Sequence, residues 1–81
     1  MNNILIIGAK FDGISSSELI DRKLNPVFSP KAVYQATRQA AVGKRYKIPV
    51  IWELPSQNAV YAANRFLTAL NIPWIKTRLP K

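Results

Sequence analysis

What most constrains this chain is the order in which two kinds of apolar spacing follow one another, with proline at the joints. Asn2 to Ile14 is aliphatic and β-branched with no helix cap, so it reads as a strand, and Gly8 inside it marks a bulge or bend. Ser15–Ser17 reads as a turn, and Glu18 to Leu24 as a second strand that closes a hairpin. A helix over Ser17–Lys23, capped by Ser17, competes with that strand. Asn25-Pro26 ends the element either way, because the residue before proline is pushed out of helical geometry.

From Pro30 to Tyr46 the spacing becomes helical. Ser29 stands where a cap belongs, Pro30 suits the first turn, and Val33, Ala36 and Ala40 recur on one face beside Tyr34 and Ala41. Gly43 weakens the end, and Lys44, Arg45 and Lys47 suit the negative end of the helix dipole. Ile48 to Leu54 reads as a short apolar strand stopped by Pro55. A second helix capped by Ser56 runs to Asn71 on a stripe of Val60, Ala63, Leu67 and Leu70, and Ile72 to Leu79 is a last strand. The order β-β-α-β-α-β predicts one α/β domain over residues 1–81, a mixed sheet flanked by helices. Trp52, Trp74, Phe66 and Tyr61 are expected in its core.

Length and composition narrow the chemistry. A chain of 81 residues buries one small core. It has no Cys and no His, which excludes disulfides, a thiolate nucleophile, imidazole metal ligands and a Ser-His-Asp triad. Any resident metal must be a hard cation on oxygen ligands. No apolar stretch, the run Ile4 to Ile7 included, is long enough to cross a bilayer, and no signal peptide opens the chain, so a soluble domain without a membrane partner is expected. Twelve Lys and Arg against four Asp and Glu leave a net charge of +8, a field that favours a polyanion such as nucleic acid. Lys10, Arg38, Lys44, Arg45 and Lys47 are the cations able to track a phosphate backbone, or else a solvated surface.

Three of the four acids, Asp12, Glu18 and Asp21, fall within ten residues. Strand alternation places Leu19, Asp21 and Lys23 on one face of the second strand and Glu18, Ile20 and Arg22 on the other. Lys10 and Asp12 share a face of the first, so hairpin pairing brings Asp12 beside Asp21. Two carboxylates suit Mg²⁺, and a lysine beside them suits charge growing on a phosphate. Glu18 is expected to be solvated, and Glu53 to be a paired structural acid near a strand end.

Phe11-Asp12-Gly13 followed by Leu19-Ile20-Asp21-Arg22-Lys23 resembles the Asp … (Asp/Glu)-x-Lys signature of the PD-(D/E)xK nuclease superfamily. With Gln35 and Gln39 on the next helix, then Ile48-Pro-Val-Ile-Trp-Glu-Leu-Pro55, a helix, and Asn71-Ile-Pro-Trp-Ile, the chain is similar over Lys10 to Pro80 to restriction-endonuclease-fold toxin domains of bacterial polymorphic toxins. The resemblance implies that Asp12, Asp21 and the Arg22 backbone carbonyl bind Mg²⁺ or Mn²⁺, that Lys23 is the catalytic lysine, and that Gln39, less surely Gln35, lies near the site. It further implies a nucleic-acid substrate, a cognate immunity protein, and action in the cytoplasm of a target cell after delivery within a larger secreted toxin. Family domains carry a helix, often with an acid, ahead of the first strand. Here the reading begins in a strand, with that helix absent, so a second copy forming a homodimer is one way to complete the fold. A non-catalytic basic nucleic-acid-binding module and a small phage or plasmid repair nuclease are the alternatives.

Overall fold

A computed structural model describes the backbone of residues 4–6, 9–14 and 17–80, and the side chains from Phe11 onward within them. Eight elements follow in order: β1 (Ile4–Ile6), β2 (Ala9–Phe11), β3 (Gly13–Ile14), β4 (Leu19–Arg22), α1 (Pro30–Tyr46), β5 (Val50–Glu53), α2 (Gln57–Ala69) and β6 (Ile75–Arg78). The segment expected as one N-terminal strand is therefore three. β1 and β2 pair antiparallel with Leu5 opposite Lys10, and a bend at Asp12 separates β2 from β3. Gly8 and the turn residues Ser15 and Ser16 lie outside the described residues.

β3 and β4 form the expected antiparallel hairpin, with Gly13 opposite Ile20, so Ser17–Lys23 is not a helix. The four-stranded sheet runs β3-β4-β5-β6. β4, β5 and β6 are parallel, with Asp21, Trp52 and Thr77 in one row and Arg22, Glu53 and Arg78 in the next. Parallel neighbours need a crossover, and here each crossover is a helix. Gln39 of α1 reaches Asp21 and Trp52, and Asn64 of α2 accepts a hydrogen bond from Thr77. Because those three strand residues share a face, both helices lie on one side of the sheet. The helices thus cover one face instead of flanking the sheet on both, since the strand order advances in one direction.

α1 spans the limits expected from sequence, α2 ends at Ala69 and not at Asn71, and the buried face of α1 is shifted in register. The buried face of α1 is Ala32, Ala36, Gln39, Ala40, Val42 and Gly43, while Val33 is half-buried and Tyr34 and Ala41 are exposed. Gly43 serves packing: a Cβ there would run into the Trp74 indole and the Ile48 carbonyl. Trp74 donates to that same carbonyl at 3.0 Å, which ties the end of α1 to the start of β6. Lys47 closes the helix in left-handed geometry. On α2, Ser56 accepts from the Ala59 amide as a true cap, and Val60, Ala63 and Leu67 are buried. Ser29 occupies the cap position of α1 but makes no such bond.

Phe11, Leu19, Val50, Trp52, Leu54 and Ile75 join the helix stripes in a single core, and β5 is buried along its whole length because strands flank it on both sides. Trp52 is fully buried, and Trp74 and Phe66 are half-buried against the same cluster. Tyr61 corrects its expectation. It is 55% exposed, one residue past the apolar stripe of α2.

Candidate active site

β4 carries the site by alternation. Leu19 and Asp21 point toward the helices and are buried, Arg22 points away and is exposed, and Lys23 follows at the strand end. Burying Leu19 sets the register of the strand, and a one-residue slip would send Asp21 to the opposite face.

Asp21 is 7% exposed, and a buried carboxylate requires partners. It has them in a chain of three hydrogen bonds. The Trp52 indole N–H donates to Gln39 Oε1 at 2.7 Å, and Gln39 Nε2 donates to Asp21 Oδ2 at 2.8 Å. Indole nitrogen is only a donor, so the amide has one orientation here, with its own donor turned toward the carboxylate. Lys23 Nζ lies 3.1 Å from the same Asp21 oxygen and donates to Gln35 Oε1 at 3.0 Å. The ammonium also sits 4.3 Å from the centre of the Trp52 ring, a cation–π contact.

Asp12 enters from the bend between β2 and β3. Its backbone N–H donates to the Ile20 carbonyl at 2.8 Å, and its Oδ2 accepts the Arg22 backbone N–H at 2.7 Å. Asp12 is also the smallest of the influences on the Asp21 carboxyl, and it favours the protonated form of Asp21. Burial raises the Asp21 pKa most, while the Lys23 charge and the Gln39 hydrogen bond pull it down, and the net direction is upward from 3.8.

The donor set fits a hard divalent cation. Asp12 is held next to Asp21 in the fold by its hydrogen bond from the following residue, the Arg22 backbone N–H. In an extended strand the N–H and C=O of one residue face the same edge, so the Arg22 carbonyl is turned toward the edge that Asp12 occupies. Oxygen donors of this kind suit Mg²⁺ or Mn²⁺, which keep water in their remaining positions. Among the described residues no group of three or more acidic side chains forms, so the pair is the whole of the side-chain donor set.

Asp12, Asp21, Lys23, Gln35 and Gln39 therefore come together as their spacing and resemblance suggest. The cations proposed for a phosphate backbone do not. Arg38 is exposed on α1, where it donates to the Tyr34 hydroxyl at 3.0 Å. Lys44 and Arg45 lie in the last turn of a helix that runs away from β4, and Lys47 lies just past it. The Lys10 side chain falls outside the described residues.

Trp52, expected only as core, is also part of this network. The one signal for it was the apolar strand Ile48–Leu54, which places Trp52 next to Asp21 only if β4 and β5 are parallel neighbours. Glu18 corrects its expectation too. It accepts from Arg78 Nη1 at 3.0 and 3.1 Å. Glu53 is the paired acid expected, held between Arg22 at 3.1 Å and Arg78 at 3.0 Å.

Compared with known protein families, curated proteins and solved structures, the chain finds no significant match.

Proposed function

We propose that this chain is a metal-dependent nuclease domain with a restriction-endonuclease-like core, a member of the PD-(D/E)xK superfamily that acts as a bacterial toxin effector. One observation carries the reading. A carboxylate and a lysine from the end of β4 meet a second carboxylate from the bend before β3, with a buried glutamine oriented against one carboxylate. Charge accounting supports it. Asp12 and Asp21 contribute −2 and Lys23 contributes +1, so the ionised cluster falls one positive charge short of neutral. A bound divalent cation brings the cluster to +1, a charge that a phosphodiester anion balances, and activates water toward it.

In this reading Asp12, Asp21 and the Arg22 carbonyl hold Mg²⁺ or Mn²⁺. Lys23 approaches the phosphate or the attacking water and stabilises the developing negative charge. Gln39 is a positioning residue that presents Asp21 Oδ1 by engaging Oδ2, and Trp52 positions Gln39 in turn. The net charge of +8 draws the nucleic acid in. As a toxin domain it would act in the cytoplasm of a target cell and be held inactive by an immunity protein covering the carboxylates.

The test is cleavage of plasmid, total RNA and transfer RNA, with Mg²⁺ or with EDTA. Cleavage that requires the metal and falls at least ~100-fold in Lys23→Met and in Asp12→Asn is the expected result. Undiminished cleavage by Lys23→Met, with circular dichroism unchanged, would refute the assigned mechanism. A second reading, a basic binding module without catalysis, draws on the full engagement of Lys23 by Asp21, Gln35 and Trp52. It predicts nucleic-acid binding with no metal-dependent cleavage on any of the three substrates.

A further inference from the structure

A pocket of about 330 Å³ opens beside Asp21 and Lys23, at the lower end of the range that holds small ligands. The connection from β4 to α1 and the first turns of α1 enclose it. Two kinds of group meet there. Leu24, Val27 and Phe28 make an apolar wall, and Leu24 and Val27 are 78% and 72% exposed. Single exposed aliphatic residues are ordinary, but these two border the same cavity. Phe28 is half-buried and anchored. Its ring lies 4.9 Å from that of Phe66, which stacks 6.3 Å from Trp52, so this wall is tied to the core that positions Gln39.

The polar side of the pocket is cationic. Lys31 and Lys23 line it together with Arg22, whose guanidinium is engaged by Glu53 on the other face of the sheet, and among the described residues Asp21 is its one acid. The first turn of α1 also faces it, with no acidic residue and no side-chain cap from Ser29. Its amides and the positive end of the helix add to the field of Lys31. An exposed apolar wall beside Lys31 and the positive end of α1 is complementary to a nucleotide, which joins an aromatic base to a phosphate. A duplex keeps its bases stacked and paired, and so offers such a pocket only phosphates.

We infer that this pocket receives one unpaired nucleotide of the substrate, with its base on Leu24 and Val27 and its phosphate on Lys31. The inference rests on the nuclease reading in one respect: the neighbouring phosphodiester then lies at Asp12 and Asp21. Selection for single-stranded or unpaired segments follows from it, whichever sugar the strand carries.

Fluorescence anisotropy of the full chain in EDTA tests the pocket without cleavage, using a labelled single-stranded oligonucleotide and the duplex of the same sequence. The single strand should bind about fivefold or more tighter, and inorganic polyphosphate, a polyanion without bases, should not erase that preference. The double variant Leu24→Ser/Val27→Ser should bring single-strand affinity down to the duplex level and leave duplex binding unchanged. Lys31→Ala should weaken both and reduce the salt slope by about 1. Equal binding of the two forms by the unaltered chain, or a preference that survives the double variant, would overturn the inference. Cleavage in Mg²⁺ is read separately. A pocket-dependent preference without cleavage supports the inference and defeats the nuclease reading, and cleavage indifferent to strandedness does the reverse.

Discussion

The two faces of the sheet each hold a cluster of charges, and they are built on opposite rules. On the face turned away from the helices, Arg22, Glu53 and Arg78 stand in one row across β4, β5 and β6, and Glu18 pairs with Arg78. Two acids meet two guanidinium groups, so the charge closes at zero. Glu53 is engaged on both oxygens, and its hydrogen bond is the first cause of an upward shift in the Arg78 pKa. On the helix-covered face, among the described residues, Asp21 pairs with Lys23, Gln35 and Gln39 are neutral partners, and Asp12 accepts from the Arg22 backbone. Adjacent residues of one strand, Asp21 and Arg22, begin the two clusters. The matched one is structural. The unmatched one retains negative charge that a metal ion or a proton must answer.

The largest expected effect separates the faces by activity. Asp21→Asn should remove metal-dependent cleavage by at least ~100-fold, while Glu53→Gln should leave cleavage within about threefold. Gel assays on both variants check this, and equal losses would dissolve the distinction between the faces. Stability should not separate them, since each face holds a buried polar network. Glu53→Ala removes an acid that holds both Arg22 and Arg78, and should destabilise by about 2 kcal/mol in urea unfolding, less than for a fully buried pair because Arg22 is 46% exposed. Gln39→Leu should cost a similar ~2 kcal/mol, since it strips the Trp52 N–H and Asp21 of a buried partner at once.

The smallest effect concerns pH. The Asp21 pKa is raised on folding, chiefly by burial, so the folded chain binds that proton more tightly than the unfolded chain. The stability so gained is full below the ordinary value of 3.8 and is lost as pH rises through the raised value. In EDTA, the urea midpoint of the unaltered chain should therefore fall relative to that of Asp21→Asn as pH rises from about 4 to about 7. Parallel midpoints across that interval would show that the carboxylate is no harder to ionise inside the fold than outside it.

Much of the candidate site was legible because it depends on local spacing. Asp21 and Lys23 share a side of β4 by alternation, Gln35 and Gln39 are one turn apart on α1, and β4 itself is bounded by a turn and a proline. Asp12 was placed near Asp21 for a partly mistaken reason. It sits at a bend and not within a continuous strand, so the period-two argument did not hold there. Trp52, Glu18 and the pocket were not legible. Their partners lie 13 residues away for Trp52 and Gln39 and 60 for Glu18 and Arg78. Each pairing depends on which strands become neighbours, which no local pattern records.

By itself, then, the sequence determined the order of the elements, the placement of both helices, the apolar central strand and the acids and lysine of one strand end. These follow from short-range rules: side-chain periodicity, capping and the backbone limits of proline. Tertiary structure decided that β4, β5 and β6 lie parallel, that both helices cover the same face, and that Gln39 joins Trp52 to Asp21. Packing sets those relations, because burying Leu19, Val50 and Ile75 against the helices aligns the strands and carries the polar residues beside them into register.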